Sequence, residues 1–229
     1  MRLRARIPSP ARLLRLVTFA GPVGVVLLIK VGTYLVLNAM ASSVGPVGTG
    51  AHHIAFSVNI FFSVFGDAVS MAGQAFLPPA IGYVAARPRA LGGRLLATGA
   101  AVGVGNAAAA SAVLLLGAGA FAADPRVVAQ VAALVPFVAA TMFIHCCSMA
   151  TEGIMLAGRR YFYLVASLAA NCALVAAAFH AALGAGLPQL SAVWVGILTF
   201  QSARLLMNMA TLASPWSVLR SRMPLRALA

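Results

Sequence analysis

Glu152 is one of only three acidic residues in this 229-residue chain, and it lies in "HCCSMATEGIMLAGRRY", an apolar run that ends in Arg159 and Arg160. Asp67 is placed alike in "FGDAVSMAGQAF", and two bases, Lys30 and Arg204, are also enclosed in apolar sequence. A charge at the centre of a bilayer costs about 2.5–3.5 kcal/mol even on the lowest scale, so such groups must face one another or a wet cavity rather than lipid. Two kinds of chemistry fit these residues. Glu152 is either a static partner of Arg204 or Lys30 that holds helices together, or a site whose protonation changes during a working cycle. Asp67 and the two bases are open to the same two readings.

Each of these residues has polar company at helical spacing. Successive helical positions are about 100° apart, so residues seven or eight apart share a face. On one segment His52, Asn59, Ser63, Gly66, Asp67, Ser70 and Gln74 fall within a stripe about 100° wide, with Phe56, Phe61, Phe62, Phe65 and Phe76 mostly off it. Thr141, His145, Ser148 and Glu152 lie within about 60° on another. Gln201, Arg204 and Asn208 form a third seam, and Lys30, Tyr34 and Asn38 a fourth. At a rise of about 1.5 Å per residue, Glu152 stands about 10 Å above Arg159, Asp67 about 16 Å above Pro78-Pro79, and Arg204 about 16 Å above Pro215. The three share a layer in the inner half of a membrane. Lys30, about 22 Å above Arg15, sits higher and would reach down along its stem.

The elements that must position these seams follow from composition. The chain is 62% hydrophobic and 8% charged, with a mean hydropathy of +0.98. A soluble globule is usually about 25% charged, so this is an integral membrane protein. Pro, Gly and Arg punctuation divides it into six apolar runs, near 16–40, 51–82, 95–121, 128–157, 161–183 and 190–213, each long enough to span. The fold class is therefore an all-α bundle of six transmembrane helices. Arg2, Arg4, Arg6, Arg12, Arg15, Arg87, Arg89, Arg94, Arg159, Arg160, Arg220, Arg222 and Arg226 fall on one side, and Arg126 alone on the other. This asymmetry places both termini on the cytosol-like face. Residues 1–15 read as a basic juxtamembrane segment, 16–213 as the six-helix body and 214–229 as a basic tail.

Several function classes drop out. The net charge of +13 is spread along the membrane faces with no interleaved aromatics, so nucleic acid is not a partner. Cys146, Cys147 and Cys172 lie in apolar spans and read as small fillers. His145, Cys146, Cys147 and Glu152 do not make a zinc site, because neighbouring side chains diverge by about 100° and no second cluster completes a tetrahedron; no metal or other cofactor is expected. His52 and His53 fall near the far membrane surface, where an interfacial role is expected. There is no nucleotide-binding glycine loop ending in Lys-Ser/Thr and no hydrolytic motif, so neither ATP-driven transport nor intramembrane hydrolysis is encoded.

Four stretches, "KVGTYLVLNAMASSVGPVGTGAHHIAF", "FGDAVSMAGQAFLP", "TEGIMLAGRRY" and "FQSARLLMN", resemble in order and spacing the C-terminal lobe of the multidrug and toxic compound extrusion (MATE) family, close to its plant and algal plastid-envelope branch. The resemblance runs over residues 7–213, and in it "IPSPARLL" resembles the inter-lobe linker that enters the family's seventh helix. It implies an antiporter that exports organic solutes in exchange for protons or sodium, built from two six-helix lobes with the substrate held between them near the midplane. It places Glu152 at the acidic position before the glycine of the family's tenth helix, Asp67 and Gln74 on the eighth, Lys30 at the basic position of the plastid branch's seventh, and Arg204 on the twelfth. Glu152 and Asp67 are thereby the expected coupling groups, with Lys30 and Arg204 as their charge partners or the contacts of an anionic substrate. Gln74, His145, Asn59, Gln201, Asn208 and Tyr34 are the expected cavity residues. The expected partners are the lipid bilayer, an organic small molecule, H+ or Na+, and a second lobe. That lobe would come from the rest of a longer gene product, a separately encoded N-terminal half or a homodimer. A plastid-envelope location is expected from the branch, and a non-transporting membrane scaffold is the rival reading.

Overall fold

The computed structural model describes residues 9–81, 86–215 and 217–219. Six helices follow one another: α1 (Pro10–Ser42), α2 (Pro46–Ala80), α3 (Ala86–Phe121), α4 (Pro125–Ala157), α5 (Tyr161–Gly184) and α6 (Gln189–Ala213). Each contains a segment long and apolar enough to cross a membrane. Residues 1–8 and 220–229, with six of the expected flanking arginines, lie outside the described residues, as do the side chains of Arg12 and Arg15.

The helices overrun the apolar runs. α1, α2 and α4 start earlier than expected, at prolines in their first turn, where the fixed φ suits a helix and the missing N–H costs nothing. α2 runs through Pro78 and Pro79 and ends at Ala80, just short of the expected 82. Connections are short, so sequential helices return antiparallel. Between α4 and α5 the chain turns through Arg159 at φ 55, a left-handed conformation, closed by Arg160 N–H donating to the Met155 carbonyl at 3.0 Å.

α4 is the central element, packed against α2, α3 and α6. Small residues let the backbones meet. A Cβ on Gly153 would lie 2.6 Å from the Ser70 carbonyl oxygen, and one on Gly103 would lie 2.9 Å from the Phe143 carbonyl oxygen. α5 packs chiefly on α6 and α1. Trp194, Phe200, Met142 and Ile154 are among the fully buried side chains that fill the centre. α1 is the outlier: 11% of its membrane window is buried, against 39% for α4 and 56% for α6.

Candidate functional site

The seams of α1, α2, α4 and α6 converge as their periodicity requires. Thr141, His145, Ser148 and Glu152 are all buried on α4, and Gln201, Arg204 and Asn208 on α6. Glu152 is clasped from two sides, Oε1 by the Lys30 ammonium of α1 and Oε2 by the Arg204 guanidinium of α6. Its side chain is 4% exposed, Arg204 5% and Lys30 17%, so the cluster is sealed on the α6 side and less so toward α1. The cost of burying charge is offset only where polar groups are matched, and here they are. Arg204 also donates to Gln201 Oε1 at 2.9 Å and lies over the Phe200 ring, 5.3 Å from its centroid. Gln201 Nε2 in turn donates to the Tyr34 hydroxyl at 2.6 Å and reaches His145 Nδ1 at 3.1 Å. His145 Nε2 lies 3.2 Å from the Ser63 carbonyl oxygen and 3.9 Å from Asp67 Oδ1. One network therefore joins Lys30, Glu152, Arg204, Gln201, Tyr34 and His145, with Asp67 at its rim and 52% exposed. One carboxylate between two cations leaves the inner cluster formally +1, and Asp67 is the acid placed beside it.

The expected cavity residues separate. Gln74 is exposed and lines an open cavity of ≈ 280 Å³ with Val23, Pro78, Leu156 and Tyr161. Tyr34 is half-buried within the network. His145, Gln201, Asn208 and Asn59 are buried inside the bundle, because their seams point at neighbouring helices. Asn208 donates to Thr151 Oγ1 at 3.1 Å, away from the ionic cluster. Asn59 Oδ1 has no hydrogen-bond partner among the described residues. His52 also departs from its expected interfacial role. It is fully buried, 2.6 Å from Asn38 Oδ1, stacked on Phe56 and edge-on to Trp194, while His53, one step round the helix, takes the outward direction.

The periodicity did not single out Asn106 and Asn171. Asn106 ties α3 to its neighbours, donating to the Phe62 carbonyl at 2.8 Å and toward Cys146 Sγ at 3.3 Å. Asn171 ties α5 to α6 through the Phe200 carbonyl at 2.8 Å. Each is the sole amide side chain of an Ala- and Leu-rich helix, and an amide within a span was the available signal. Cys146 and Cys172 are more than fillers, since Cys172 Sγ lies 3.4 Å from Thr33 Oγ1.

Six apolar helices around an enclosed ion cluster define an integral, multi-pass membrane protein, and its fold is that of one half of a transporter. Over 98% of this chain and 51% of the other, it superimposes with a TM-score of 0.67 and 16% identity on a MOP superfamily transporter from Pyrococcus furiosus. No family model matches the sequence. Curated proteins similar to it include DETOXIFICATION proteins of the MATE family from Arabidopsis thaliana. Protein DETOXIFICATION 43 is 28% identical over 80% of this chain and 35% of its own length, and Protein DETOXIFICATION 42 is 28% identical over 80% and 36%. Protein DETOXIFICATION 47, chloroplastic, is 26% identical over 95% of this chain and 40% of its own length. The chain thus spans between about a third and two fifths of the curated relatives it matches.

Proposed function

We propose that the chain is one six-helix lobe of a secondary antiporter that exports organic solutes in exchange for protons or sodium, and that it is not an enzyme. The observation that carries this reading is the ionic cluster itself. A bundle built for stability alone gains little from buried ion pairs, since apolar residues of similar volume do as well or better. Lys30, Glu152 and Arg204 from three helices, with Asp67 open at the edge, form what a coupling site needs: an accessible acid beside a sealed one. Glu152 and Asp67 couple the ion, Lys30 and Arg204 balance them or meet an anionic solute, and Gln74 lines the way in. Working against a second lobe, supplied by a longer product, a separate half or a second copy, the lobe would bind substrate between the halves. A membrane potential of about 100 mV is worth about 2.3 kcal/mol per charge moved, enough for roughly a fifty-fold gradient of a neutral solute. The chloroplastic name of one homologue supports a plastid-envelope site.

The rival, a non-transporting scaffold, is favoured by the full pairing of both Glu152 oxygens. Glu152→Gln separates the two. In vesicles holding the assembled protein, the antiporter reading expects the variant to insert yet lose pH-driven solute uptake. Uptake at the parent's rate and with the parent's pH dependence would instead leave the cluster as structural glue.

A further inference from the structure

Hydrogen-bond direction through the cluster is fixed by Arg204. A guanidinium only donates, so the Gln201 atom 2.9 Å from it is the amide oxygen, and the amide NH2 faces the other way. That NH2 meets the Tyr34 hydroxyl at 2.6 Å and His145 Nδ1 at 3.1 Å. An NH2 can only donate as well, so Nδ1 is the bare nitrogen and the neutral ring carries its hydrogen on Nε2.

Nε2–H has two acceptors within reach. The Ser63 carbonyl is bonded at 3.2 Å, and Asp67 Oδ1 waits at 3.9 Å, beyond hydrogen-bond length. The ring packs on the bare face of Gly66, where a Cβ would stand 2.8 Å from His145 Cδ2 and 3.0 Å from Nε2 and would displace it. Around the ring the charged and titratable groups are Asp67 from α2, Lys30 and Tyr34 from α1, Arg204 from α6, and Glu152, Cys146 and Cys147 on α4 itself. α3 carries its arginines near its start, at Arg87, Arg89 and Arg94, and has no other titratable side chain. Asp67 is half open to its surroundings while Glu152 is sealed, and the chain His145–Gln201–Arg204 runs from beside Asp67 to Glu152.

We propose that His145 is a positioning residue whose Nε2–H moves between the Ser63 carbonyl and the Asp67 carboxylate, passing the charge state of Asp67 through Gln201 and Arg204 to Glu152. The inference rests on the reading of Asp67 and Glu152 as the coupling pair. An ionised Asp67 draws the ring toward itself and away from Gln201; a neutral or cation-bound Asp67 returns it to Ser63. Gln201 and Arg204 then hold Glu152 differently in the two states.

The test is nitrogen NMR of the full chain in lipid nanodiscs, with 15N-labelled histidine and glutamine. The His145 signals are assigned by their loss in His145→Asn, which shortens the side chain and adds nothing against Gly66. The expected parent spectrum has Nε2 protonated and Nδ1 bare. Asp67→Asn should shift both the His145 Nε2 signal and the Gln201 side-chain amide, and the Gln201 shift should vanish in the His145→Asn background. Gly66→Ala, which crowds the ring, should abolish the same response. Protonated Nδ1, or a Gln201 response that persists without His145, overturns the proposal. None of these signals requires transport, so solute exchange by Asp67→Asn tests the coupling reading separately.

Discussion

α1 and α4 each carry one half of the same ion pair and hold it in opposite ways. On α4, Glu152 is followed by Gly153, whose Cα hydrogens touch the α2 backbone at Ser70, and the residues a turn or two before it are buried. On α1, Lys30 has exposed neighbours in Leu27, Leu28 and Val31, and Gly21, Gly24 and Gly32 have nothing within 4 Å of where a Cβ would stand. Much of what ties α1 to the bundle is polar: Lys30 to Glu152, Tyr34 to Gln201, Asn38 to His52, Thr33 to Cys172, and Gln189 to the Met40 carbonyl. Interlocked packing can be lost only as a whole, whereas a hydrogen bond can be exchanged for one to water or solute at little net cost. α4 thus fixes the carboxylate, and α1 presents a cation on contacts that can be traded.

Glycine substitutions should break the comparison most visibly. Gly153→Val must push the α2 and α4 backbones apart and should leave no folded, monodisperse protein in detergent, beyond the ~1–3 kcal/mol usual for overpacking. Gly32→Ala on α1 should raise the melting temperature slightly, as removing a mid-helix glycine gains up to about 1 kcal/mol. Equal damage at both positions would mean that α1 packs as tightly as α4. Next in size is Glu152→Leu, which leaves two cations unpaired and should cost about 3–5 kcal/mol. Arg204→Met should cost nearly as much, because Gln201 loses its donor along with Glu152. Lys30→Met should cost less, about 1–3 kcal/mol, since Glu152 keeps Arg204 and the α1 side is partly exposed. Thermal unfolding in one detergent ranks the three, and a Lys30 loss exceeding that of Arg204 would reverse the roles assigned to the two helices.

The ordering of these effects rests on features of unequal visibility in sequence. Spans and seams were legible because a 3.6-residue period and a membrane-length apolar run leave direct marks, and the meeting of Lys30, Glu152 and Arg204 followed from the cost of charge in lipid. Which glycines bear contact was not legible: Gly32 and Gly153 look alike as letters, and only helix placement puts Ser70 against one and open space beside the other. His52 and His53 read alike in sequence because their shared depth is visible, while the inward or outward direction of each is decided by neighbours such as Trp194. The inward burial of Asn59, Gln201 and Asn208 was likewise hidden, since a polar stripe facing a partner helix and one facing a cavity have the same period.

The smallest expected effect lies on the connector before α4, where Asp124 and Arg126 repeat in the open the carboxylate–arginine pairing that Glu152 and Arg204 make in the interior. The exposed pair has side chains 36% and 77% accessible, against 4% and 5% for the buried one. Asp124 caps α4, accepting from the Arg126 N–H at 2.9 Å, and its carboxylate also takes the Arg126 guanidinium. Those hydrogen bonds hold its pKa below the ordinary value of 3.8. A carboxyl whose value falls on folding stabilises the fold above the unfolded value and loses that contribution as pH drops through the folded one. The contribution should therefore be constant from neutrality down to about pH 5 and fade below about pH 4. Asp124→Asn keeps a good cap but removes the charge. Its melting temperature should trail the parent's slightly at pH 7, less so in added salt, and the gap should narrow as the pH falls below about 4. A deficit that is the same at every pH and salt concentration would assign the effect to cap geometry instead of charge. Set beside the Glu152 variants, the pair measures what enclosure adds to the same two chemical groups.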